Sequence, residues 1–388
     1  LLEQPRIAVL TGDPFNSYPV GECWHLIDHE MGIRAAFLNT ADLGGMDVRR
    51  YNVIVIPDGG TDAWTDKIPA LKTWVEAGGT LIAIGSSATP FTKEKDGIGS
   101  TRDLPDVLLK LDDFRSAIVR DWLGKTAAAM PEQVWSFNPP EKLEYPWTLG
   151  EPDKIEEPEA KRRDAWRALF MPTGAILAAR TDDRHWITAG CGEILPVLYV
   201  SGPVLLPAQG GNAPVLMGAI IPSTKPPEPP KEAKKDEKKD DTKKDESKKD
   251  ESRKEDGRKT DSRSDGTKKD DTKTEEAKKD DTKKDDSTKD DDKKGDKKDD
   301  KKDEPKPGWL LAPPGFELRL RMSGLLWPEA ADRIAHSAFC TQEHIGSGQI
   351  ILFANSPTFR GCARGTTRLF MNAVVCGPGM GASHPIKP

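Results

Sequence analysis

The first hundred residues alternate short apolar runs with amphipathic segments, and this alternation limits the possible folds more than any other feature. Four runs have the length and composition of strands, namely Arg6–Thr11, Ile33–Leu38, Tyr51–Pro57 and Thr80–Ile84. Between them, Val20–Met31 and Ile68–Ala77 repeat apolar residues at helical spacing, and each is followed by glycine. The third run is apolar almost throughout, which is typical of a strand covered on both faces of a parallel sheet. The pattern predicts a doubly wound α/β fold with a mostly parallel sheet.

A charged tract from Lys231 to Pro307 interrupts this pattern. It holds 29 Lys/Arg and 29 Asp/Glu in 77 residues, and its only hydrophobic residues are two alanines. Such a segment cannot bury enough apolar surface to offset the entropy that ordering would cost. We therefore expect a disordered Lys/Asp-rich insert over 224–307 within one discontinuous domain, whose two parts are residues 1–223 and 308–388.

The composition of the remaining residues excludes several classes of protein. The tract has no net charge, so the net charge of −6 belongs to the rest of the chain, which has no Lys/Arg excess for binding nucleic acid. The longest apolar runs, such as Val53–Pro57, are far shorter than the roughly 20 residues that span a membrane. The five Cys form no CxxC motif or metal-binding cluster. We predict no cofactor and no metal, and we interpret a start without Met as a processed chain or a fragment.

Polar residues and glycines follow several of the predicted strands. Because open α/β sheets bind ligands at the carboxyl ends of their strands, these residues are candidates for a ligand crevice. The candidates are Asp13, Asp58, Gly59, Ser87 and Ser356. Ser87 lies in a Gly-x-Ser turn between a strand and a predicted helix, where hydrolases expose a nucleophile.

Histidines are poorly placed for either nucleophilic or metal chemistry. A serine nucleophile needs a His held by a carboxylate, and none of the six His follows a predicted strand facing Ser87. His25 and His29 flank Asp28 one helical turn apart, which is similar to the inverted zincin motif His-x-x-Glu-His. Asp replaces the Glu, however, and no third ligand is evident. The helical spacing turns Trp24 inward, together with Cys23, Ile27 and Met31, and leaves both His near the surface.

The strand–turn segments Thr80–Ser87 and Gly346–Pro357 resemble the class I glutamine amidotransferase-like fold. Members of that family carry Gly-x-Cys-x-Gly at the nucleophile turn and His-Pro-Glu after the last strand. At the corresponding places this chain has Ser87, Ser356 and Thr358. Two hydroxyls cannot act as a base and its orienting group near neutral pH. The resemblance therefore implies the fold, flavodoxin-like in its winding, and argues against glutaminase activity.

A more specific resemblance covers nearly all the segments outside the tract. Asp13–Glu22, His185–Gly190, Ser323–Ala330 and Phe353–Gly361 are similar to an amidotransferase-like region that follows a zinc carboxypeptidase (carboxypeptidase A-like) domain in some secreted bacterial proteins. The resemblance implies an extracytoplasmic or secreted setting and a zinc carboxypeptidase partner domain. The zinc motif of that partner, His-x-x-Glu, is absent from this sequence.

The sequence is consistent with three hypotheses for function. The first is a non-catalytic amidotransferase-like accessory domain, a fragment of a zinc-metallocarboxypeptidase-like protein, that positions the peptidase or its substrate. The second is a Ser-dependent amidase or hydrolase that uses Ser87. The third is an interaction protein that acts through the charged insert.

Overall fold

A computed structural model describes residues 3–43, 45, 47–114, 118, 155–207, 212–224, 312–313, 315–382 and 386. The strands are β1 (Ile7–Thr11), β2 (Ala35–Asn39), β3 (Val53–Ile56), β4 (Thr80–Ile84), β5 (Arg102–Asp103), β6 (Thr173–Thr181), β7 (Ile194–Val200), β8 (Leu205–Leu206), β9 (Asn212–Met217), β10 (Ala219–Pro222), β11 (Phe316–Arg319), β12 (Arg321–Ser323), β13 (Ala338–Ile345) and β14 (Gly348–Phe353). The helices are α1 (Ser17–Trp24), α2 (Ile68–Glu76), α3 (Glu157–Ala168), α4 (Pro328–Ile334) and α5 (Arg364–Cys376). The charged tract lies outside the described residues.

The sheet has a parallel centre and an antiparallel extension. Five strands pair in parallel in the order β2-β1-β3-β4-β14. The sheet then continues through β13, β9 and β6, which are antiparallel to their neighbours. The predicted α/β fold with a largely parallel central sheet is confirmed. Strand β14, which comes after the charged tract in sequence, pairs directly with β4, so both parts of the chain build one sheet.

Alternating residues of each parallel strand pack on opposite faces of the sheet, because successive side chains of a strand point to opposite sides. In β1, Ile7 and Val9 join the core on one face, where α1 and α5 pack. Ala8 and Leu10 join the core on the other face, which α2 covers with Leu71 and Trp74 among others. Helices on both faces explain why these strands are apolar at every position, as the sequence pattern predicts.

Helix α1 differs from its predicted form. It begins at Ser17, where the side chain of Asn16 accepts a hydrogen bond from the Tyr18 amide as a helix cap, and a π-helical stretch, His25–Glu30, continues it. The wider π turn shifts the buried face, so that Leu26 is buried with Cys23 and Ile27. The prediction that Trp24 faces inward is wrong, since 46% of this residue is exposed.

The middle of the chain also departs from the sequence-based expectation. The Pro, Trp and charge content of residues 130–165 predicts an extended cover or loop, but helix α3 begins at Glu157, with Pro158 in its first turn. An ion pair between exposed side chains, Lys161 with Glu157, supports this helix although its apolar content is low. The apolar spacing of residues 103–123 predicts another helix, but the structure describes this segment only in part. Short 3₁₀ turns occupy Leu104–Asp106 and Leu108–Lys110, and most of residues 115–123 lie outside the described part of the chain.

A buried ion pair joins α3 to α4. Arg333 donates from Nε to Asp164 Oδ1 at 2.8 Å and from Nη2 to Asp164 Oδ2 at 3.1 Å. Both side chains are only 9% exposed, so this two-point contact fixes the relative position of the two helices. Among the described residues, no helix combines the length and the hydrophobicity needed to cross a bilayer.

Candidate functional site

The carboxyl ends of four parallel strands lie side by side at one edge of the sheet. Their order along the edge is β1, β3, β4 and β14. The turns after these strands carry the residues predicted from the sequence, so the fold brings Asp13, Asp58, Gly59, Ser87 and Ser356 to the same edge. Their side chains nevertheless have different environments, and they do not form one cluster.

The turn after β4 is the sharpest feature of this edge. Gly85 follows the strand directly and has a φ of +59°, a left-handed conformation that glycine adopts at little cost. The chain then enters a 3₁₀ helix, Gly85–Thr92. A strand-to-helix turn with one strained residue is the geometry that exposes the nucleophile of α/β hydrolases. In this chain the residue with the left-handed conformation is a glycine and has no side chain.

Asp58 fills the space beside that glycine. A Cβ on Gly85 would lie 2.4 Å from Asp58 Cγ and 2.5 Å from Oδ1, closer than nonbonded atoms can approach. Asp58 Oδ1 also accepts a hydrogen bond from the Ser86 amide at 2.8 Å. In hydrolases the amide after the nucleophile stabilises the oxyanion. Here that amide already has an acceptor within the chain.

Ser87 is not exposed in this turn. The residue is fully buried, and its hydroxyl donates to the carbonyl oxygen of Pro57 at 2.7 Å. This bond ties the turn after β4 to the turn after β3. The Gly-x-Ser spacing drew attention to Ser87, but the residue of this turn with a positive φ is Gly85, two positions earlier.

Ser356 interacts with a residue that the sequence did not single out. Its hydroxyl donates to Glu22 Oε2 on α1 at 2.6 Å and lies 3.3 Å from the hydroxyl of Thr358. The second oxygen of the Glu22 carboxylate accepts from the Arg360 amide at 2.9 Å. Glu22 therefore holds the loop after β14, and Ser356 and Thr358 are satisfied within it. In the sequence, the only sign of a role for Glu22 is its position next to Cys23 on the predicted buried face of a helix. Polar residues beside such a face are common, so this position does not distinguish Glu22.

Asp13 lies in the turn after β1, and Gly59 lies in the turn after β3. Asp13 is exposed and precedes Pro14 through a cis peptide bond, while its carbonyl oxygen accepts a hydrogen bond from the hydroxyl of Thr40. A Cβ on Gly59 would lie 2.6 Å from the ring of Phe15. The absence of a side chain at Gly59 therefore permits Phe15 to pack under the turn after β3.

An open groove begins at this edge, between the turns after β3 and β4. We call it the β3–β4 groove; its volume is about 870 Å³. It is lined by Gly59, Gly60, Thr61, Thr65, Asp66, Ile68, Ser86, Thr89, Pro90, Lys93 and Asp96. Of the five predicted crevice residues, Gly59 lines the groove, whereas Asp13, Asp58, Ser87 and Ser356 do not.

The His pair predicted as a possible metal site lies on the π-helical stretch that continues α1. The rings of His25 and His29 lie 5.0 Å apart, and His25 Nδ1 is 3.6 Å from Glu30 Oε1. Glu30 also pairs with Arg364 at 2.9 Å. Over the part of the chain that the structure describes, no three His, Cys, Asp or Glu residues are grouped as metal ligands.

His185 has a local structural role. Its Nδ1 accepts a hydrogen bond from the Ile187 amide at 3.2 Å and so caps a short 3₁₀ turn. Burial lowers the pKa of His185 below its usual value, against a smaller opposing contribution from Gln342. The neutral imidazole is the form that can accept this bond.

Comparison with known proteins adds little. No family model matches the chain. No curated protein matches it either. A solved structure, the cytoplasmic protein STM3548 from Salmonella typhimurium, aligns over 54% of this chain and 78% of its own length at 12% identity, with a TM-score of 0.27. A likeness at this TM-score carries no inference of fold or function.

The expected extracytoplasmic or secreted setting requires correction. It rested only on the resemblance to a carboxypeptidase-associated region, and the neighbour just named is described as cytoplasmic. We withdraw that expectation and assign no compartment in its place.

Proposed function

We propose that this chain is a non-catalytic accessory domain of amidotransferase-like architecture, which positions a zinc carboxypeptidase domain or its substrate. The observation that carries the proposal is the pairing of Gly85 with Asp58. The residue of the turn with the left-handed conformation has no side chain to attack a substrate, and the Asp58 carboxylate occupies the space that such a side chain would need.

The surrounding contacts support the same proposal. Ser87, the serine of the Gly-x-Ser spacing, is buried and bonded to a carbonyl oxygen. Ser356 and Thr358 stand where the resemblance would place a base and its orienting carboxylate, yet their hydroxyls bond to Glu22 and to each other. Nucleophilic catalysis requires a base within hydrogen-bond reach of the nucleophile. None of these contacts supplies such a pair.

Labelling with a fluorophosphonate probe tests the non-catalytic half of the proposal. The folded chain and a Ser87→Ala variant are incubated with the probe beside an active serine hydrolase, and each is analysed by intact mass. We expect no stoichiometric modification of either form of the chain. Stoichiometric labelling that disappears in the Ser87→Ala variant would establish the rival serine hydrolase.

The carboxypeptidase half rests on the resemblance of four sequence segments, and it needs a separate test. Sequencing the coding region upstream of Leu1 is sufficient. A zinc peptidase motif there, His-x-x-Glu with a later His, is the expected result. An upstream region that encodes no such domain contradicts the assignment of the partner, whatever the labelling experiment shows.

A further inference from the structure

We infer that the β3–β4 groove binds an extended peptide that carries basic side chains. The inference deepens the proposed function, because a domain that positions a peptidase substrate must hold a peptide. It is argued from the shape, the hydrogen-bonding groups and the charge of the groove.

The groove has rigid walls. One wall is the turn after β3, where Trp64 is fully buried, donates from Nε1 to the Gly60 carbonyl at 3.1 Å and stacks on Phe91 at 5.5 Å. The other wall begins at Ser86, whose amide is fixed by Asp58. A volume of about 870 Å³ lies within the range of roughly 300–1,000 Å³ that small-ligand sites occupy. The contacts of Trp64 and Ser86 therefore fix parts of both walls of the groove.

Four hydroxyls line this groove, contributed by Thr61, Thr65, Ser86 and Thr89. None of them makes a side-chain hydrogen bond to another described residue. Ser86 is exposed and the three threonines are half-buried. Hydroxyls both donate and accept, so a row of them matches the alternating amide and carbonyl groups of an extended peptide.

The charge of the groove favours a cationic ligand. Lys93 is paired with Asp106 at 3.0 Å and Asp66 with Lys67 at 2.6 Å. Asp96 also lines the groove, and it has no partner among the described residues. The uncompensated charge is therefore negative, which favours basic side chains and opposes phosphate or an acidic peptide.

The lining also argues against a carbohydrate. Its apolar members are Ile68 and Pro90, and none of the lining residues is aromatic. Trp64, the nearest indole, is fully buried beneath the wall. A sugar ring would find no aromatic face on which to stack, whereas a peptide does not require one.

Fluorescence anisotropy with two labelled hexapeptides tests the inference. One is Gly-Ser-Lys-Ser-Lys-Gly and the other has Glu in place of both Lys; maltohexaose and inorganic phosphate serve as competitors. We expect saturable binding of the basic peptide, with an affinity at least about tenfold higher than that of the acidic peptide. Binding of neither peptide, equal binding of both, or displacement by maltohexaose would overturn the inference.

Matched variants locate the binding site. Asp96→Asn should weaken binding of the basic peptide several-fold and should not weaken binding of the acidic peptide, while Thr89→Val should weaken the binding of both peptides. Asp28→Asn and Thr173→Val make the same chemical changes at exposed positions outside the groove, and they should leave binding unaltered. Equal effects of the groove and control variants would place the peptide elsewhere.

Chemical-shift mapping on the unaltered protein provides an independent measurement. Addition of the basic peptide should shift the amides of Thr61, Ser86 and Thr89 before those of α5. Shifts confined to other surfaces would contradict the inference. Failure of the peptide tests would not contradict the non-catalytic part of the proposed function. That part is tested by the fluorophosphonate experiment, which reports on serine reactivity alone.

Discussion

The carboxylate of Asp58 occupies the space in which the Cβ of any residue other than glycine at position 85 would lie. The 2.4 Å separation between Asp58 Cγ and a Cβ at position 85 leaves no room for both. The conformation of Gly85 adds a second barrier to substitution, because its φ of +59° disfavours residues that carry a Cβ.

Alanine substitution separates these two effects. Gly32 has a similar φ of +65° but open space around it, so Gly32→Ala should cost about 1 kcal/mol of unfolding free energy, from backbone strain alone. Gly85→Ala adds overpacking against Asp58 and should cost about 2–4 kcal/mol. Urea unfolding measures both variants.

A double-mutant cycle checks the cause of the larger effect. Combining Gly85→Ala with Asp58→Ala should cost less than the sum of the single changes, since the double variant removes the clash. Additive costs would show that Asp58 is not what restricts position 85.

The ion pair between Arg333 and Asp164 should contribute strongly to stability because it is buried. Asp164→Ala leaves a guanidinium without its partner and should cost about 3–5 kcal/mol in urea unfolding. The exposed pair of Asp47 and Arg49 is the control, and Arg49→Ala, which keeps the hydrogen bond from the backbone amide of residue 49 to Asp47, should leave the unfolding midpoint nearly unchanged. Similar losses for the two variants would mean that burial does not determine the strength of the α3–α4 contact.

His185 should make stability depend on pH. Burial lowers its pKa in the folded state, so below its unfolded pKa of about 6.5 the unfolded chain binds more protons. Its contribution is therefore complete above that pH and is lost as the pH falls toward the folded pKa. The change in Tm between pH 7.5 and pH 5.5 should be smaller in His185→Asn, which keeps a capping acceptor, than in the native protein.

Glu22 should control the opening of the loop after β14. Removing its carboxylate in Glu22→Ala frees the Arg360 amide, so hydrogen exchange at that amide should accelerate at least about tenfold, in keeping with the loss of a charged hydrogen bond. Glu22→Gln keeps an acceptor and should produce a smaller change. Unaltered exchange at Arg360 in both variants would contradict the assigned contact.

The five cysteines should differ in reactivity. Burial raises the pKa of the Cys23 and Cys340 thiols far above the usual range, so neither should react with a disulfide reagent at pH 8 before unfolding. Cys362 is exposed and should react first. A Cys362→Ser variant that loses the fast phase confirms the order, and rapid labelling of Cys340 in folded protein contradicts it.

Much of the fold was accessible from sequence because strands buried on both faces leave an unambiguous signal. The apolar runs that became β3 and β4 have no other reasonable interpretation. Helix α3 was missed because it covers little apolar surface, and exposed ion pairs such as Lys161 with Glu157 leave no hydrophobic periodicity. Trp24 was misplaced because the π turn after it changes the period on which the prediction depended.

The candidate site was predictable in location but not in detail. Strand ends identify an edge of the sheet, and this edge did collect Asp58 and Ser87. Sequence spacing does not give backbone φ values. It therefore pointed to Ser87 and overlooked Gly85, whose positive φ shapes the turn. Glu22 acts through a contact with Ser356 more than 300 positions away, which no local pattern contains.

The place of β14 has a consequence for how the protein is made. This strand lies between β4 and β13, so the sheet stays open at its centre until residues 348–353 have been synthesised. The ribosome must first translate the 77 residues of the charged tract, while β4 still exposes an apolar edge that could pair with other chains. The thermodynamic cost of so long a connection is small, because each doubling of a loop adds only about 0.6 kcal/mol. Its main cost is the time during which the sheet remains incomplete. The tract that is translated during this interval has no net charge and almost no apolar residues, so it offers little for the exposed edge of β4 to bind.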